Sequence, residues 1–137
     1  MTQGYLALVL HAHLPFVRHP EHKNFLEEDW LFQAITETYI PLIQVFHGLK
    51  QDGVPFKITM SLTPTLLSML SDDLLQRRYV RFLDLSLELA KKEIKRTRNQ
   101  PEIQPLARMY YDKLNQARDL FVNRYQHNIV QAFKDLM

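Results

Sequence analysis

The sequence holds 137 residues, 46% of them apolar and 23% charged, the balance of an ordinary globular domain long enough to bury its own core. Its formal net charge is +2, and no basic tract stands clear of acidic neighbours, which argues against a nucleic-acid partner. Cysteine is absent, so disulfides and thiolate metal sites are excluded and a reducing compartment is expected.

The apolar run from Tyr5 to Leu10 predicts a first strand, buried on both faces as in a parallel sheet covered by helices. It is too short for a membrane span, and no basic leader or small-residue cleavage site precedes it. A cytoplasmic protein without membrane contact is therefore the expectation. The segment from Phe16 to Asn24, with Pro20 and several charges, predicts an exposed loop. A helix should begin near Glu27-Glu28-Asp29, where acidic side chains favour the positive end of the helix dipole. Trp30, Leu31, Ala34, Ile35 and Thr38 continue it at helical spacing. Pro41 removes an amide donor, predicting a kink or two abutting helices, the second running from Leu42 to Lys50 and stopping at Asp52-Gly53.

Strand two is expected over Phe56 to Ser61. Thr63-Pro64 then suits an N-cap with proline at the first helical position, followed by a short helix over Thr65 to Leu70. Strand, helix, strand implies a parallel pair with a right-handed crossover. From Asp73 onward Leu75, Tyr79, Phe82, Leu83, Leu87, Ala90 and Ile94 form one stripe. Beyond the break at Asn99 to Glu102, a second stripe runs Tyr110, Leu114, Ala117, Phe121, Tyr125, Ile129, Ala132 and Leu136. The two stripes predict a long antiparallel helical hairpin. The fold class is thus α/β, two parallel strands followed by that hairpin. A two-stranded sheet is not stable in isolation, so further strands are expected to complete it.

Side chains alternate along a strand, so His11 and His13 should project together from the C-terminal end of strand one, into a sugar-sized hollow. Ligands and catalytic groups gather at that end in parallel α/β folds. A neutral imidazole can bind a metal, hydrogen-bond a sugar hydroxyl or transfer a proton. Metal binding needs further ligands, and strand two ends in Ser61, Leu62 and Thr63. Trp30 either stacks on a sugar ring or anchors the first helix. His19 and His22 read as polar surface, Glu28, Asp29 and Glu37 as dipole and solubility residues, and Tyr110, Tyr111 and Tyr125 as helix packing. Neither a phosphate-binding glycine loop nor a nucleophile elbow occurs, and no carboxylate pair suited to glycoside hydrolysis stands at the strand ends. These residues leave open a sugar-binding site, a metal-dependent hydrolase or deacetylase using His-x-His, and a non-catalytic helical interaction module.

The run Gly4-Tyr5-Leu6-Ala7-Leu8-Val9-Leu10-His11-Ala12-His13-Leu14-Pro15-Phe16-Val17-Arg18 resembles the first motif of glycoside hydrolase family 57. The stretch from Glu27 through Trp30 and Pro41 to Leu42 is similar to the family's 1,4-α-glucan branching enzymes, as are Ser61 to Leu66 and Arg77 to Phe82. The resemblance implies the N-terminal part of an incomplete (β/α)7 barrel. Residues 1–72 would form its first two β/α units, and residues 73–137 a hairpin insertion of the same catalytic domain. It further implies retaining chemistry on an α-glucan, with no metal or organic cofactor, and places His11, His13 and Trp30 at the donor sugar. The nucleophile and the acid/base would come from later strands, so no catalytic residue falls within this chain. The remainder of the barrel would be its partner, and the chain alone should be inactive.

Overall fold

In the computed structural model, which describes Gly4 and residues 6–137, β1 (Val9–Ala12) pairs in parallel with β2 (Thr59–Leu62). Tyr5, the expected first residue of strand one, lies outside the described residues. Val9 faces Thr59, Leu10 faces Met60, His11 faces Ser61 and Ala12 faces Leu62. Both strands are shorter than expected and lie nearer the C-terminal side of their apolar runs. The Thr59 amide to the Leu8 carbonyl (3.2 Å) and the Thr63 amide to the Ala12 carbonyl (3.2 Å) bracket the ladder. Apolar content marks a segment for burial, but a ladder extends only as far as two backbones face each other.

The expectation of burial on both faces fails among the described residues. Ala12 belongs to the core with Met60 and Leu62 packed against it, whereas Leu6, Leu8 and Val9 are 87%, 54% and 68% exposed. Helices cover one face only. Beside β2 lies an open groove of about 950 Å³, lined by Phe46, Val54, Phe56, Leu67 and Phe133 among others.

The helical part follows the sequence closely. α1 (Glu28–Ala34) opens with Glu28 and Asp29 in its first turn. A π-helical turn (Ile35–Tyr39) leads directly into α2 (Ile40–Gln51). The Ile40 amide bonds the Ile35 carbonyl, five residues back, and Pro41 follows at once, so the π turn lies where proline's missing amide interrupts the helical ladder. α3 (Pro64–Leu70) is capped by Thr63, whose hydroxyl accepts from the Leu66 amide. Asp72 caps α4 (Asp73–Arg96) by accepting from the Leu75 amide at 3.0 Å.

α5 (Gln104–Asp119) returns antiparallel to α4. The Gln104 side chain donates to the Ile94 carbonyl (3.4 Å), and Arg118 meets Asp84 at 2.6 Å further along. The second stripe is not one helix, contrary to its periodicity. α5 gives way to a π turn (Leu120–Arg124), then to Gln126 and His127 at φ 48° and 65°, before α6 (Ile129–Lys134) starts at its Asn128 cap. Two residues in the left-handed region redirect the chain. Phe121, Ile129 and Ala132 stay buried because both pieces turn their apolar side to the same core.

That core centres on Tyr79, which meets Phe121 edge-on at 4.7 Å and packs with Leu31, Leu66, Met69, Leu75 and Leu83. It draws on both halves of the chain, so the hairpin and the strand–helix units share one interior. Thr36 gives its hydroxyl hydrogen to the Phe32 carbonyl (2.8 Å), so the buried Tyr79 hydroxyl is the donor in their 2.9 Å bond. Burial drives the Tyr79 phenol well above the usual tyrosine range, and the Thr36 bond offsets only part of this. Of the three tyrosines expected to pack, Tyr110 is instead 47% exposed, while Tyr125 accepts from the Gln44 amide at 2.8 Å. Among the described residues no helix is long and apolar enough to cross a membrane.

Candidate functional site

The pairing register places His11 and Ser61 side by side, on the sheet face opposite Ala12 and Leu62. Their side chains meet, His11 Nδ1 lying 2.5 Å from Ser61 Oγ. His13 follows just past the ladder, and its ring lies nearly parallel to that of His11, 6.0 Å between centroids and 16° between planes. The two imidazoles therefore leave the C-terminal end of β1 together, as the alternation of side chains requires. They stand exposed on an open face of the sheet. Next to them the chain turns from β2 into the capped start of α3, which fixes the rim of the sheet.

Trp30 projects from α1 and is 50% exposed. Among the described residues no ring contact joins it to either histidine.

The segment between β1 and α1 is a loop, exposed as expected over most of its length but pinned at Val17, Arg18 and His19. Val17 is 1% exposed and its amide donates to Met69 Sδ at 3.3 Å, while Arg18 bonds Asp72 at 2.7 Å. Burial alone would raise the Asp72 carboxyl, but the Leu75 amide and the Arg18 guanidinium outweigh it and hold the group below the usual carboxylate range. Glu28, read as a dipole residue, is 1% exposed and paired with Arg78. Arg78 also donates to the His19 and His22 carbonyls, and the His19 amide donates to Glu28 at 3.2 Å. A planar guanidinium with several donors suits this role, since one side chain gathers a carboxylate and two loop carbonyls. His19 is half-buried, its ring between Glu21 (3.1 Å) and Glu27 (3.3 Å) and against Phe25 (3.8 Å). These groups shape the rim's support and are engaged with one another. Asp29 is pushed up by burial, and Glu37 lies outward, 4.0 Å from Lys113.

Among the described residues no group of three or more His, Cys, Asp or Glu side chains gathers to hold a metal ion. The site as it stands can hydrogen-bond a polyhydroxylated ligand through two imidazoles, and among the described residues no carboxylate is bonded to either ring.

A parallel pair joined by a helical crossover, with imidazoles at its C-terminal rim, is the opening of a (β/α)7 barrel. The chain belongs to glycosyl hydrolase family 57, whose model matches residues 7–137. A 1,4-alpha-glucan branching enzyme of Thermococcus kodakarensis is 39% identical over 93 residues, which are 68% of this chain and 14% of that protein. Among solved structures, the alpha-amylase AmyC from Thermotoga maritima matches with a TM-score of 0.89 at 43% identity. A GH57-type branching enzyme from Pyrococcus horikoshii matches with a TM-score of 0.88 at 29% identity. Each likeness covers 98% of this chain and 25% of the other, so the chain spans a quarter of the length of these solved relatives.

Proposed function

We propose that this chain is the donor-sugar-binding portion of a retaining α-glucan-active barrel, most specifically a 1,4-α-glucan branching enzyme. The observation that carries the reading is the side-by-side emergence of His11 and His13 at the sheet's C-terminal rim, in a member of this family. In the whole reaction an α-1,4 linkage is cleaved, the donor is held as a covalent glycosyl-enzyme, and a 6-hydroxyl of an acceptor glucan receives it. His11 and His13 would bind hydroxyls of the reacting sugar, and Trp30 would stack near the donor cleft. The attacking carboxylate and the acid/base would be supplied by the rest of the barrel, which would cover the open sheet face and the groove beside β2. The reading places the protein in the cytoplasm, working without metal or organic cofactor.

A second reading, α-1,4 hydrolysis without transfer, is favoured by the 43% identity to an α-amylase. Incubation of the purified chain with amylose, followed by linkage analysis, tests the division of labour. Neither new α-1,6 branches nor chain shortening is expected, and either product would overturn it. A maltooligosaccharide titration followed at the histidine ring signals tests the binding role. His11 and His13 should respond, and rings that stay silent in a folded sample would overturn the reading.

A further inference from the structure

The proposed sugar site contains a residue that the histidine motif does not include. Ser61 is carried by β2, fifty positions along the chain from His11, and only the parallel register brings their side chains together. Each nitrogen of a neutral imidazole is either a donor or an acceptor, and the bond at one fixes the state of the other. Ser61 has one hydroxyl hydrogen to give, and His11 Nδ1 lies 2.5 Å from its oxygen. The contact is made either with the hydroxyl donating to Nδ1 or with Nδ1–H donating to the hydroxyl, and the first arrangement is the one taken here. With Nδ1 accepting, the ring proton must sit on Nε2. Ring rotation is restrained as well, because Ser61 holds one edge and the His13 ring lies parallel alongside.

We infer that Ser61 is a positioning residue that locks His11 as the Nε2–H tautomer, so that His11 meets the glucan as a hydrogen-bond donor. The inference rests on the glucan-binding reading above. It assigns His11 a direction: it recognises a lone pair on a sugar oxygen and does not withdraw a proton from a hydroxyl. A serine that merely tied two strands together would leave the tautomer unaffected.

Long-range proton–nitrogen NMR on the full chain with labelled histidine reads the tautomer directly, at about pH 8.5, above the usual imidazole range. Wild type should show His11 as a single Nε2–H form, Ser61→Ala a mixture of both tautomers, and Ser61→Thr the wild-type pattern. A proton on Nδ1 in wild type, or an unchanged His11 in Ser61→Ala, would overturn the assignment. Maltooligosaccharide titration of the same samples should show roughly threefold to tenfold weaker binding for Ser61→Ala and none of that loss for Ser61→Thr. If sugar perturbs wild-type His11 while the tautomer result fails, the role of Ser61 alone falls. If the tautomer is as stated but sugar leaves both rings unperturbed, the glucan reading falls and takes the positioning role with it.

Discussion

The helical side of the molecule and the segment leading into its sheet, Leu6 to Val9, are written in equally apolar residues, yet only the first is covered. Leu66, Tyr79 and Leu83 are 0% exposed, whereas Leu6 and Val9 are 87% and 68% exposed. Composition does not distinguish them. What differs is whether a second layer is present to receive the side chains, and the helices supply one for a single face of the sheet. The polar groups divide in the same way. Glu28, Thr36 and Thr97 are buried and bonded on the helical side, while His11, His13 and Ser61 sit together on the open one.

The comparison breaks most sharply at Arg78. Arg78→Met strands the Glu28 carboxylate in the interior and frees the His19 and His22 carbonyls, and should cost about 3–5 kcal/mol in urea unfolding. Pairing it with Glu28→Leu should recover much of that loss, because no buried charge then remains. Asp72→Ala removes the α4 cap and the Arg18 pair and should cost about 1–2 kcal/mol.

The same residue gives a pH dependence with a definite sign. Its folded carboxyl lies below the unfolded value, so its contribution is complete above the ordinary carboxylate range and lost as pH falls through the folded value. Asp72→Asn keeps a cap yet should flatten that acid limb of the stability curve. Tyr79→Phe deletes the donor to Thr36 and should cost about 1 kcal/mol, read by the same unfolding curve. Val9→Lys on the open face should change stability by no more than about 0.5 kcal/mol. A much larger loss would mean that this face is covered in solution.

The histidine pair was legible because a strand's period of two places His11 and His13 on one side whatever the rest of the fold does. The Thr63 cap, Pro64 and the first hairpin stripe are likewise local signals, and α3 and α4 begin where these place them. Glu28 looked like an ordinary first-turn acid, since the arginine that makes its burial tolerable lies fifty residues away. Ser61 was missed for the same reason: no local pattern sets the register between strands. The reversal at Gln126 and His127 carries no glycine to announce its left-handed backbone, so the stripe read on through it.

The π turn at Ile35–Tyr39 has a consequence for which changes in chain length the rod can absorb. It holds one residue more than an α-helix needs to keep the flanking segments in phase. A single deletion inside it would leave Leu31 and Phe32 aligned with Ile43 and Phe46, and the rod would simply regularise. The same deletion between Ile43 and Phe46 would swing Phe46 by about 100° around the axis, out of the interior, because the π turn lies ahead of both.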